Sequence, residues 1–344
     1  MVKNIYTNNY YSNLFLMFIL IPVLVIACAN HCLIAESNDL SKNTKRKIRF
    51  SYHMTVENIP PNSKYIEIWL PVPKSDHYQT ISDVNISCDY PYTFQNEPEY
   101  DNLILAIKGN HKIPESVSAS MDFIVTRTGY SLSDKSISSN EEVNPALLAR
   151  YLLPDRLVPV SGIIAEETQK ILNNDLNSME KVRVIYDHVV STMVYDKTGK
   201  GWGRGDAVYA CNARKGNCTD FHSLFIGMSR AIGIPARFVI GFPIPEGEKQ
   251  GEISGYHCWA EFYINGLGWL PVDASEASKH TEKHDFFFGG LDANRVQFTT
   301  GRDIRIKHNP EIEPINYFIY PYVQIEGKTY SDIECSFWFN DLSE

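Results

Sequence analysis

Between Ile48 and about Tyr130 the chain alternates apolar and polar positions in short runs. IRFSYHMTV (48–56), YIEIWLPVP (65–73), NLILAIKG (102–109) and SVSASMDFIVTRTGY (116–130) are separated by Pro, Asn and Gly. A period of two is that of half-buried strands, so residues 47–132 are expected to form a small antiparallel β domain. SDKSISSNEE then reads as a linker. From Asn144 the period lengthens. SMEKVRVIYDHVVSTMV puts Met179, Val182, Tyr186 and Val189 on one helical face. After the glycine-rich KTGKGWGRGDA a further helix starts at Cys218. Its apolar face is Phe221, Leu224, Phe225, Met228 and Ile232, and it stops at Gly233 with Pro235 just beyond. Strand signals resume up to Asp273, and the tail after Arg302 is again β-like. The pattern predicts an α+β protein with a core at residues 140–300 and a C-terminal β extension at 301–344.

The N-terminal pattern is different. Lys3 precedes the apolar stretch LFLMFILIPVLVIA, Leu14 to Ala27, which is short, proline-interrupted and fits a secretory signal over residues 1–29. A polar segment at 30–46 links it to the fold. Val25-Ile26-Ala27-Cys28 fits lipidation at Cys28, Ala27-Cys28-Ala29 fits ordinary cleavage, and an uncleaved anchor is the third reading. All three place the mature chain outside the cytoplasm, in a periplasm or cell envelope. Charge and cysteine content narrow the class further. The net charge of -9 with no long basic block argues against nucleic acid as a partner. Seven cysteines in 344 residues do not make a small disulfide framework.

The chemistry converges on RKGNCTDFHSLF, Arg214 to Phe225. Asn217 is a good N-cap and Asp220 suits the first turn, so Cys218 opens a helix. Unpaired N–H groups and the positive end of the helix dipole favour thiolate there, and the same amides can hold an oxyanion. Downstream, GYHCWAEFYINGLGWLPVDASEA reads as a hairpin. His257, Trp259 and Glu261 share one face of its first strand, Cys258, Ala260 and Phe262 the other. The second strand ends at Asp273. A two-residue Asn265-Gly266 turn would set His257 and Asp273 on opposite faces, so a three- or five-residue loop including Leu267, or a bulge near Pro271, is expected. Asp273 would then orient His257, which serves as base and then acid toward Cys218.

GNCTDFHSLFIGMSRAIGIPARFVIGF, GYHCWAEFY and GWLPVDAS together resemble the transglutaminase-like superfamily, over roughly residues 180–300, in its exported bacterial type. The resemblance implies a papain-like core with a helix-borne nucleophile packed on an antiparallel sheet. It implies Cys218 as nucleophile, His257 as base and Asp273 as orienter, with no cofactor and no metal. For the oxyanion, the Cys218 N–H ranks first, then Asn212, six residues upstream, then Trp202. Long multi-domain architecture and evident calcium loops are missing from the sequence. The expected reaction is therefore acyl transfer at an amide carbonyl through a thioester, with a peptidase or amidase favoured over an amine-accepting transglutaminase. A protein, peptide or peptidoglycan amide is the expected substrate.

Two other readings are set beside it. Cys211, Cys218, His222, His257 and Cys258 offer soft ligands, with Cys218 and His222 one helical turn apart. No close CxxC pair supports that site, and His257 and Cys258 should face apart. A Cys211–Cys258 disulfide is another use of the spare thiols. Alternatively the fold is a catalytically silent envelope-binding module, which the intact Cys218, His257 and Asp273 set argues against. Asp220 reads as a helix-start carboxylate, His222 as packed, at the surface or in contact with the site, and Glu276 as solvated. HDFFFGGLDANRVQF fits either a substrate groove or core closure.

Overall fold

The computed structural model describes residues 45–132, 145–306 and 313–343. The leader with Cys28, and the SDKSISSNEE linker, lie outside these. In the N-terminal region the strands are β1 (Lys45–Val56), β2 (Tyr65–Val72), β3 (Gln79–Cys88), β4 (Tyr92–Asn96), β5 (Leu103–Asn110) and β6 (Val117–Thr128). The core follows with α1 (Pro145–Arg150), α2 (Ile163–Ile171), α3 (Ser178–Thr192), β7 (Val194–Tyr195), α4 (Ala207–Ala213), β8 (Lys215–Gly216) and α5 (Cys218–Ala231). It continues with β9 (Ala236–Pro243), β10 (Gln250–Glu252), β11 (His257–Ile264), β12 (Gly268–Val272), α6 (Ala274–Lys279) and β13 (Arg295–Thr300). The tail supplies β14 (Tyr322–Ile325), β15 (Lys328–Tyr330) and β16 (Ile333–Asp341).

The sheet that carries the site runs β12-β11-β9-β13, antiparallel throughout, with α5 packed on β9 and β11. Two more sheets run β10-β16-β1-β6-β3 and β15-β14-β2-β5-β4. The tail is therefore built into the N-terminal sheets: β16 pairs with β1, and β14 with β2. Burial on β1 and β6 alternates as a half-buried strand requires. An aromatic cluster joins the first of these sheets to the site-bearing one. Phe50, stacked on Phe123, tilts against Phe242, Phe123 meets Phe298 edge-on, and Phe337 tilts against Phe242 with centroids 4.3 Å apart.

α5 departs from a one-faced amphipathic helix. Every residue from Cys218 to Arg230 is buried, including Thr219, His222, Ser223 and Ser229. A helix enclosed on all sides must satisfy its polar groups internally, as Thr219, His222 and Ser223 do, while Ser229 Oγ has no hydrogen-bond partner among the described residues. That requirement sets much of the site's geometry.

Candidate active site

The start of α5 is fixed by a reciprocal cap. Asn217 Oδ1 accepts from the Thr219 N–H at 3.0 Å, and Asp220 Oδ2 accepts from the Asn217 N–H at 3.0 Å. The N–H groups of Asp220 and Phe221 donate to the Asn217 carbonyl, and the Cys218 amide in the first turn has no acceptor among the described residues. Gly216 permits the close approach: a Cβ there would lie 2.3 Å from Asp220 Oδ2. Asp220 also accepts from the Gly203 and Gly205 amides at 2.7 and 3.0 Å, so the same carboxylate ties the glycine-rich loop to the start of α5. Burial pushes its pKa up, and these amides oppose the shift only in part. Arg302 clamps that loop from the other side, donating to the Gly205 carbonyl at 2.6 Å and to Ser223 Oγ at 2.5 Å.

The hairpin register answers the question of parity. Ile264 pairs with Gly268 across a three-residue loop, Asn265-Gly266-Leu267, and Ala260 pairs with Val272 without a bulge. Asp273 therefore falls diagonally across from His257 on a shared face. His257 Nε2 donates to Asp273 Oδ2 at 2.7 Å, and the Arg295 guanidinium donates to the same oxygen at 2.9 Å. Asp273 Oδ1 accepts from Ser275 Oγ and from the Glu276 amide, both at 3.1 Å, so the orienting carboxylate is also the N-cap of α6.

Cys218 is 2% exposed and interacts with the imidazole of His257 and with the thiol of Cys258. The Cys258 hydrogen bond holds the Cys218 thiol well below its ordinary range against burial, and His257 adds to it. For His257, burial opposes the charged form. The charge and hydrogen bond of Asp273, with Cys218 beyond, outweigh it and raise the pKa to about 10. Asp273 is fully buried, yet its carboxyl is held well below the carboxylate range, since His257, Arg295 and His222 together overcome desolvation. These shifts favour a thiolate–imidazolium pair backed by an oriented carboxylate. Its imidazole borders a polar cleft lined by Tyr195, Tyr256, Glu276, Lys279, His280 and Arg295.

The other sequence candidates fare differently. Asn212 is exposed on α4 and makes no hydrogen bond with Cys218, because the left-handed Arg214 at φ 53° and strand β8 intervene. Trp202 is half-buried in the glycine-rich loop, and among the described residues no hydrogen bond or ring contact ties it to the site. The Cys211–Cys258 disulfide is corrected. Both thiols are free, Cys211 lying beside Arg214 and Glu167 while Cys258 faces Cys218 and His222. His257 and Cys258, expected to face apart, have different partners: His257 bonds Asp273, while Cys258 Sγ lies 3.7 Å from His222 Nδ1. Among the described residues no cluster of three or more His, Cys, Asp or Glu is arranged to hold a metal. Glu276, expected to be solvated, is half-buried and bonded to Lys279 at 2.6 Å. The HDFFFGGLDANRVQF segment divides its work: Phe287, Asp292, Asn294 and Arg295 line the cleft, while Phe288, Leu291, Val296 and Phe298 enter the core.

Sequence reasoning missed Arg295, whose only signal was a cation after a turn. It missed Tyr256, which accepts from Asn217 Nδ2 at 3.2 Å and contacts Tyr317. It also missed Cys258 as a neighbour of His222.

Residues 165–274 match the family model described as the transglutaminase-like superfamily. An uncharacterized protein of Haemophilus influenzae is 27% identical over 90% of this chain and 94% of its own length. The uncharacterized protein YebA of Bacillus subtilis is 25% identical over 37% of this chain and 20% of its own. A crystal structure of a "Putative Cysteine Protease" from Cytophaga hutchinsonii is 17% identical and covers 88% of this chain and 92% of its own, with a TM-score of 0.57. That likeness shows a shared fold across most of the chain.

Proposed function

We propose a thiol acyl-transfer enzyme, on the premise that this chain belongs, through residues 165–274, to the transglutaminase-like superfamily. It is an exported cysteine peptidase or amidase acting on an amide of a protein, a peptide or peptidoglycan. One observation carries the reading: Cys218, His257 and Asp273, spread over three elements, converge with the thiol pulled down and the imidazole held at about 10.

The chemistry follows from the geometry. The Cys218 thiolate attacks the amide carbon and the carbonyl π electrons move onto oxygen, where the free Cys218 amide can donate to the oxyanion. The intermediate collapses, the C–N bond breaks, and the imidazolium of His257 gives its proton to the leaving amine. His257, now neutral, takes a proton from water as the oxygen attacks the thioester. The acid leaves and the thiolate returns. Asp273 keeps the proton on Nε2, so the other ring nitrogen faces sulfur and substrate. The polar cleft beside His257 supports water as the acceptor, since transfer to an amine requires that water be excluded. The apolar N-terminal stretch supports export, with lipid attachment at Cys28 as one form of it.

The test is incubation of the purified protein with peptidoglycan fragments, casein-like proteins, and glutamine donors plus an amine. Released amines or peptide fragments are expected. Isopeptide bonds would instead establish crosslinking. Cys218→Ala should abolish labelling by a thiol-reactive amide mimic, and His257→Ala should slow it by about 10²–10⁴. Unchanged labelling in His257→Ala would refute base activation.

A further inference from the structure

The residue before the thiol and the residue before the imidazole are bonded to each other. Asn217 precedes Cys218 and caps α5, and Tyr256 precedes His257 and leads into β11. Asn217 Oδ1 accepts from the Thr219 N–H and from Thr219 Oγ1. A backbone amide can only donate, so the other end of the Asn217 side chain is its NH2 group. That nitrogen lies 3.2 Å from the Tyr256 hydroxyl oxygen, which therefore accepts. Tyr317 donates its own proton to the Gly203 carbonyl at 3.3 Å, so the Tyr256 proton is the one between the two hydroxyls, 3.4 Å apart. The Gly203 amide donates to Asp220 Oδ2 at 2.7 Å, and the same oxygen accepts from the Asn217 N–H at 3.0 Å. The bonds form a closed ring that leaves Asn217 through its side chain and returns through its backbone.

We propose that Tyr256 is a positioning residue whose hydroxyl ties the start of β11 to the cap of α5 and so sets the separation of His257 from Cys218. The inference rests on the reading of those two residues as base and nucleophile. Asp273 fixes the orientation of the imidazole through its bond at 2.7 Å. Tyr256 fixes how far the strand that carries the imidazole stands from the helix that carries the thiol. Apolar packing of α5 on β9 and β11 is non-directional and tolerates sliding, whereas a hydrogen bond has a preferred length and angle. Tyr317 lies between β13 and β14, so the C-terminal extension supplies one link of the ring.

The test is a double-mutant cycle read on the thiolate and not on turnover. Tyr256→Phe removes the hydroxyl and keeps the ring against Tyr317 and Tyr320, whose centroids lie 5.6 and 6.1 Å away. Asn217→Ser keeps a capping oxygen and loses the donor. The full chain is alkylated with iodoacetamide across a range of pH, and modification of the peptide bearing Cys218 is timed by mass spectrometry. The charged and titratable groups around the pair are retained in every variant: Asp220 and His222 of α5, Cys258 of β11, Asp273 with Arg295 behind it, Tyr195 of β7 and Tyr320 of the tail. In wild type the rate should reach half its plateau well below the ordinary thiol value. Each single variant should raise that midpoint by about half a pH unit, about threefold in thiolate at fixed pH below it. The double variant should go no further than either single one, because both remove the same bond. A low wild-type midpoint that is unmoved in either single variant overturns this inference alone, and so do shifts that add in the double variant. A wild-type midpoint at the ordinary thiol value overturns the proposed function with it.

Discussion

Asp273 accepts four hydrogen bonds, two on each oxygen, and is itself fully buried. Removing one partner leaves a buried charge short of compensation, and such losses cost about 3–5 kcal/mol. Arg295→Met should lose about that much in urea denaturation, although it retains the apolar part of the side chain. An effect below about 1 kcal/mol would mean that His257 alone suffices for the carboxylate. The pH dependence follows from the same pair. The folded-state value of His257 is raised from 6.5 to about 10, so its contribution is complete below 6.5 and disappears as pH rises through about 10. Asp273 is shifted the other way, so its contribution is present above 3.8 and is lost only as pH falls through its lower folded value. The stability gap between wild type and His257→Ala should accordingly be widest between pH 3.8 and 6.5 and shrink as pH rises toward about 10. A gap that stays constant from neutrality to above that point would refute the ion pair. The meeting of His257 with Asp273, and the place of Cys218 at the start of α5, were legible in the sequence because each residue follows a local rule: a cap before the thiol, alternation at the histidine, an odd loop before the aspartate. Arg295 was not, because its partner is settled by the pairing of β13 with β9, far from either residue in sequence.

At the scale of elements, the site depends on how α5 is anchored. Asp220 gathers the amides of Gly203, Gly205 and Asn217, and all three lose their acceptor in Asp220→Ala. Unsatisfied buried donors cost about 1–3 kcal/mol each, less whatever water reaches, so a net loss of about 3 kcal/mol is expected. Hydrogen exchange should quicken at Gly203 and Gly205 while the middle of α5 stays protected. Equal quickening throughout α5 would show that the loop and helix are not separable. The cap itself was readable from Asn217 and Asp220, but the loop's attachment was not, since nothing in KTGKGWGRGDA names its partner. Counting offsets failed at Asn212 for a related reason. Six residues upstream is close along a straight chain, but here a helix end and a short strand lie between. β3 and β4 escaped notice because they are edge strands. β3 is largely exposed, with a register shift between Ser82 and Asn85 and Asp83 at φ 52°, so the apolar alternation that marks β1 and β6 is absent.

Across the whole molecule, the reading of the chain as β domain, core and extension meets a fold in which these segments share sheets and one hydrophobic core. The tail strand β16 lies beside β1 from Ile48 opposite Asp341 to Val56 opposite Ile333, and on its other side it pairs with β10 of the core. Its Phe337 packs on Phe242 of β9. Phe242 follows Gly241, and Gly241 pairs with His257. A large-to-small change at Phe337 therefore acts on two sheets together. Deleting a buried phenylalanine side chain costs about 3–5 kcal/mol, and a shared core should take that cost as a unit. Phe337→Ala should shift one cooperative denaturation transition, with tyrosine fluorescence and accessibility of the buried Cys218 thiol moving at the same denaturant concentration. If the tail were an appendage, the fluorescence transition would move while Cys218 stayed shielded to the wild-type midpoint. Coincident shifts are expected because Phe337 sits in the layer between β1 and β9, where neither sheet can lose its packing without exposing the other.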